Sequence, residues 1–202
     1  MTHLSPAATP ATLKEPALSR LLFADPRLAP LWLILRVYVG YEWLSAGWGK
    51  ISNPAGVWVG EKAGVAVSGF LNGAIAKSSG DKPEVAGWYA WFVENVALPN
   101  AVVFSYMVAY GELLVGIALI LGLFTGIAAF FGGFLNANFL LAGTLSSNPL
   151  LFILATWLVL GWRVAGWWGL DRWILPRFGV SERPGALPAE PTSQRRQGDA
   201  VR

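Results

Sequence analysis

The sequence predicts an all-α integral membrane protein, a four-transmembrane-helix bundle with an extracytoplasmic helical loop between helices 1 and 2. Three observations predict it. Four segments each hold about 20 mostly apolar residues, the length that crosses a bilayer as a helix. The 202-residue chain is 54% hydrophobic and only 13% charged, less charge than soluble domains of this size carry. Its 11 tryptophans suit the membrane–water boundary, where the ring meets lipid and the N–H meets water.

Residues 1–28 are rich in Ala and Pro and read as a polar N-terminal tail, with no apolar core of a cleavable signal peptide. Residues 29–176 form the membrane domain, with helix 1 expected over 29–48, helix 2 over 101–123, helix 3 over 125–145 and helix 4 over 149–168. The links around Leu123–Gly126 and Ser146–Pro149 are short enough to force antiparallel neighbours. The loop at 52–100 is expected to hold an amphipathic helix at 57–76 and an aromatic one at 83–98, with a turn at 77–82 between them. Two readings of it stay open, a cap over the bundle or packing at the interface. Residues 177–202 are rich in Pro and charge and read as a disordered cytoplasmic tail.

Charge outside the spans sets the orientation. Three basic residues precede helix 1 (Lys14, Arg20, Arg27) and seven arginines follow from Arg163 onward. The long loop has Lys50, Lys62, Lys77 and Lys82. Both termini are therefore expected in the cytoplasm of a multi-pass inner-membrane protein. The net charge of +3 shows no patterned basic stripe and gives no reason to expect nucleic acid as a partner.

Arg36, Glu42 and Glu112 lie inside apolar runs, where a charge is expensive and points to function. Helical rise places Arg36 roughly 18 Å and Glu112 roughly 16 Å below the outer helix ends, so the two are expected to pair. Asn136 and Asn138 lie near mid-depth on opposite sides of helix 3. Asn136 shares a face with Gly132 and Gly133, which permit close helix approach, and is the better candidate to join the pair. Glu42, nearer the outer surface, has Lys50 or a loop lysine as its expected partner. Lys50 is either a boundary residue reaching for water or an attractor of anions at the outer mouth. Trp43 belongs either to an interfacial belt or to an aromatic pocket. The buried polar layer has two readings as well, a packing-specific ion pair or a site that binds a quinone head group and moves its protons.

There is no Cys, and the single His is His3. Thiolate-bound Fe–S clusters, bis-His haem and cysteine nucleophiles are excluded. No haem, Fe–S cluster, flavin or metal is expected in this chain. Redox chemistry would need a quinone as diffusible acceptor, or a partner subunit.

Four stretches resemble the DoxX/DoxD family of membrane proteins. They are Arg36-x3-Gly40-x2-Trp43-x3-Gly47-x2-Lys50; Gly111-Glu112-x3-Gly116 with Leu121-Gly122-Leu123-Phe124-Thr125-Gly126; Asn136-x-Asn138-Phe139-x2-Ala142-Gly143 with Ser147-Asn148-Pro149; and Ala165-Gly166-Trp167-Trp168-Gly169-Leu170-Asp171-Arg172. The last two are similar to the DoxD branch in particular. That resemblance implies a membrane subunit of thiosulfate:quinone oxidoreductase, which makes tetrathionate and passes electrons to membrane quinone, together with a DoxA-like or soluble redox partner. On that reading Glu112, Arg36 and Glu42 carry the chemistry. Asn136, Trp43, Lys50 and Asn138 bind quinone or substrate, with thiosulfate held at Lys50. The alternatives are a non-catalytic scaffold of an oxidoreductase or oxidative-stress complex, and a small-solute or ion channel, which would need a homo-oligomer.

Overall fold

A computed structural model describes residues 16–180. Among them there is no strand. Helix α1 spans Ala17–Ala24, followed by a 3-10 turn at Pro26–Leu28 and the long helix α2, Ala29–Ile51. Helix α3, Val65–Ala76, and helix α4, Gly87–Phe92, lie in the long loop; α4 continues into a wider π-helical turn at Val93–Ala97. Helices α5, Ala101–Leu121, α6, Thr125–Leu141, and α7, Asn148–Leu160, follow. Two short helices come next, α8 at Trp162–Ala165 and α9 at Asp171–Ile174, and a 3-10 turn at Leu175–Phe178 closes the described chain.

One helix among the described residues, α5, is both long and apolar enough to cross a membrane. Helices α3, α6 and α7 are apolar but shorter. Helix α2 has the length, 23 residues, but carries Arg36, Glu42 and Lys50.

The tightest seam joins α2 to α5, and glycine sets it. A Cβ on Gly47 would stand 2.8 Å from the Leu113 Cα, and one on Gly116 would stand 2.6 Å from the Leu44 Cα. Gly40 likewise faces Leu119 and Ile120. These contacts fix the register, so that the first turns of α5 rise past the end of α2. There they meet the loop: Gly64, at φ +93°, lies against the Ala101–Val102 backbone.

Two cores result. One fills the space between α2, α5, α6 and α7 with Trp32, Val39, Trp43, Leu119, Ala129 and Leu158. The other is the cap's own, built from Val67, Leu71, Val85, Tyr89 and Val93 on the beginning of α5. Lys77 Nζ ties the cap to the α6–α7 turn by donating to the Gly143 carbonyl at 2.6 Å.

Several boundaries differ from expectation. The stretch read as plain tail contains α1, because Phe23 packs on Trp32 at 5.9 Å and the Trp32 indole N–H donates to the Leu22 carbonyl at 2.9 Å. The first loop helix begins only at Val65, since Gly56, Gly60 and Gly64 all adopt positive φ. Helix α7 stops at Leu160, where Gly161 gives way to the Trp32 ring. Phe178 packs on Phe124 at 6.3 Å, so the C-terminal segment is anchored at least that far. The expected disorder of 181–202 and the character of 1–15 lie outside the described residues.

Candidate functional site

Glu112 sits on the α5 stripe Ser105–Ala109–Glu112–Gly116–Leu119, every member of which is buried. Spacings of three and four residues put all five on one helical face. The Glu112 side chain is 1% exposed and accepts a charge-assisted hydrogen bond from Lys50 Nζ at 2.5 Å. Lys50, 19% exposed, lies 5.0 Å over the Trp58 ring. Trp58 is in turn fixed by the buried Ser105 hydroxyl, which donates to its carbonyl at 2.6 Å. A carboxylate, an ammonium and an indole thus form one stack between α5, α2 and the loop.

This stack borders a cavity of about 830 Å³. Small-molecule sites run to about 300–1,000 Å³, mostly apolar with a few polar groups, and the lining here matches. Helix α2 contributes Glu42, Trp43, Ala46 and Lys50, residues that recur on one helical face. The loop closes one end with Trp58, Phe70, Tyr89 and Phe92. The side between α5 and α6 is lined by Met107, Leu114, Ile127, Phe131 and Phe134, each also exposed on the outer surface. The cavity is therefore roofed by the cap and open sideways onto an apolar face.

Glu42 lines the cavity and is half-buried, but forms no ion pair among the described residues. Its expected partner Lys50 is taken by Glu112. Trp43 presents its ring to the cavity and to Phe139 at 6.5 Å, while its indole nitrogen faces Gly132. Of the two asparagines, Asn138 is the one on the cavity. The Tyr89 hydroxyl donates to its backbone carbonyl at 3.0 Å, and its amide donates to the Phe134 carbonyl at 2.8 Å. Asn136, favoured from the sequence, is buried on the Gly132 side of α6, away from the lining, and neither side-chain atom finds a partner among the described residues.

Tyr89 latches cap to bundle, and burial pushes its phenol above the ordinary value of about 10. The folded cap therefore favours the neutral phenol. That contribution is fully present below about pH 10 and is lost as pH rises through the higher folded value. Tryptophan fluorescence should register loosening in this alkaline range, since Trp88 packs on Tyr89 at 5.5 Å. The Tyr89→Phe variant should lose this alkaline step and about 0.5–1.5 kcal/mol of cap stability. An identical alkaline transition in the variant would rule the latch out.

Arg36 is not the partner of Glu112. The glycine seam carries it to the far end of α5, where its Nη2 donates to the Trp168 carbonyl at 3.1 Å and its Nη1 lies against Gly122 and Gly169. Matching depths from the helix ends misplaces it because the two helices do not start level. Asp171 is the carboxylate whose charge acts on Arg36, at a range beyond a direct ion pair. That buried carboxylate caps α6, accepting the backbone N–H groups of Phe124 at 2.5 Å and Thr125 at 2.8 Å. Backbone bonds from Leu170 to Leu121 and from Asp171 to Gly122 seat the segment under the α5–α6 turn. In the sequence Asp171 stands out only as a member of the last motif. A further signal was open: no other acidic residue occurs between Glu112 and position 180.

The described residues are thus all helical, with an apolar cavity open on an apolar flank and an ion pair in its wall. The DoxX family model matches residues 31–144, more than half of the chain, from α2 through the α6–α7 turn. The chain belongs to the DoxX family of membrane proteins. The match takes in both ends of the Lys50–Glu112 pair and stops short of Asp171. No curated protein and no solved structure matches the chain.

Proposed function

We propose that this chain is the membrane subunit of a quinone-linked oxidoreductase, and that its cavity receives the quinone. The observation that carries this reading is the Lys50–Glu112 pair set in the wall of an apolar cavity whose flank opens on apolar residues. The reading takes α2, α5, α6 and α7 with α8 as four spans and the cap as the extracytoplasmic side. Both termini then lie in the cytoplasm of an inner-membrane protein, in keeping with the excess of arginine outside the spans. A neutral molecule dissolved in the bilayer enters between α5 and α6 without crossing water.

Within the cavity Trp43 and Phe139 offer ring faces to the head group. The Lys50 ammonium is the donor placed to hold a quinone carbonyl. Reduction to quinol consumes two electrons and two protons; Glu112 and Glu42 are the carboxyl groups placed to pass the protons. No group in this chain stores electrons, so they arrive from a sulfur compound or from a redox partner. The DoxD-like motifs point to thiosulfate, oxidised to tetrathionate. That anion belongs on a partner subunit rather than at Lys50, because the charges lining the cavity are two carboxylates against one ammonium, and the ammonium is already paired. Arg36 has a structural part on this reading, at the opposite end of α5.

The test is thiosulfate-dependent reduction of a soluble quinone analogue by purified protein with its membrane partner, beside quenching of cavity tryptophans by the analogue alone. Glu112→Gln should lower turnover by about 100-fold or more with folding retained. Ala46→Trp, which fills the cavity wall, should abolish the quenching. Unchanged turnover in Glu112→Gln with unchanged quenching in Ala46→Trp would refute a quinone site in this cavity and leave a scaffold.

A further inference from the structure

We propose that the end of the molecule carrying the α5–α6 turn binds anionic phospholipid head groups through Arg163, Arg172 and Arg177. The proposal rests on the chain being a membrane protein and is independent of what the cavity binds. All three arginines are exposed, and none forms an ion pair among the described residues. Among the described residues the acidic groups of this end are already engaged: Asp25 holds Arg27 at 2.6 Å, and Asp171 is buried beneath the turn. Three guanidinium charges therefore stand on one short segment with no ion-pair partner among the described residues.

Their setting is that of a lipid boundary. Arg163 lies 5.2 Å over the Trp162 ring, and Arg172 lies 5.2 Å over Trp167 and 6.0 Å over Trp173. An arginine stacked on an indole keeps its edge donors free, and those donors match two phosphate oxygens at once. Trp173 is 69% exposed and Phe178 70%. Large exposed rings beside unpaired cations suit the zone where head groups meet acyl chains. Helix α1, packed on α8, extends the apolar side with exposed Leu18, Leu21 and Leu22. A soluble phosphate would use the guanidinium groups but leave these rings and leucines in water. A phospholipid uses both.

Phosphatidylglycerol and phosphatidylcholine are offered separately to the full chain in detergent, and retained lipid is read by native mass spectrometry. Phosphatidylglycerol should be retained well above phosphatidylcholine. Arg163→Gln with Arg172→Gln should weaken its retention by about thirtyfold, the value of two surface arginines. The matched charge loss at the cap, Lys62→Gln with Lys82→Gln, should leave retention unchanged. Trp173→Ala, which keeps every charge, should also weaken it. The proposal is overturned by equal retention of the two lipids, by equal weakening in the cap variant, or by inorganic phosphate displacing the lipid at equal concentration.

Discussion

Replacing Asp171 with alanine is expected to destabilise the protein by about 2–5 kcal/mol, chiefly through the two backbone N–H groups it leaves unpaired. The carboxylate does two things at once. It satisfies two backbone N–H groups at the start of α6, and it is the charge opposite a guanidinium that is 1% exposed. Truncation leaves both N–H groups unpaired and removes the negative charge that acts on Arg36. The reciprocal change, Arg36→Met, should be milder, at about 1–3 kcal/mol. Asp171 keeps its two backbone bonds in that variant and sits where a helix N-terminus favours negative charge. Unfolding titrations with sodium dodecyl sulfate, followed by circular dichroism, measure both. Equal losses in the two variants would mean that Asp171 acts only as a counter-charge, and a loss under about 1 kcal/mol would remove it from the fold's stability altogether.

Gly116→Ala is expected to cost about 1–3 kcal/mol and to disable the cavity as well. The added Cβ falls against the Leu44 backbone, 2.6 Å from its Cα. Backbone cannot rotate away as a side chain can, so α2 must withdraw from α5. That withdrawal separates Lys50 from Glu112, which now meet at 2.5 Å. The same substitution at Gly49, where nothing lies within 4 Å, should be neutral or add about 0.5–1 kcal/mol of helix stability. Comparable stability in Gly116→Ala and Gly49→Ala would show that the seam is looser than these contacts require. Loss of quinone-analogue binding in Gly116→Ala alone would tie the seam to the cavity.

Which way each helical residue faces was legible in the sequence. Periodicity puts Ser105, Ala109, Glu112, Gly116 and Leu119 on one stripe, and all five are buried. It likewise groups Arg36, Gly40, Trp43, Gly47 and Lys50, of which the first four are buried on α2 and Lys50 is half-buried. A stripe fixes which way a residue faces but not its level against a neighbouring helix. Level depends on where the long loop lets α5 begin, and the first turns of α5 belong to the cap's core. The Arg36–Glu112 pairing fails for that reason, and Lys50, expected at the outer mouth, is the true partner. Glycines near Asn136 made it the better candidate, but they mark close packing, whereas the cavity needs the opposite side of α6, where Asn138 lies. Asp171 is hidden by sequence distance. No local pattern reveals that a residue far past α6 closes that helix's first turn.

That distance has a consequence for how the chain is made. Arg36 leaves the ribosome early, while Trp168, whose carbonyl it meets, follows 132 residues later. Throughout the synthesis of α5, α6 and α7 the arginine has no native counter-charge. The helices must be laid down first and fastened afterwards, with the Gly-Leu-Asp turn at 169–171 arriving as the closing clasp. A nascent chain released before that clasp lacks the Trp168 carbonyl that meets one of its most buried charges. A segment translated late thus settles a charge laid down early.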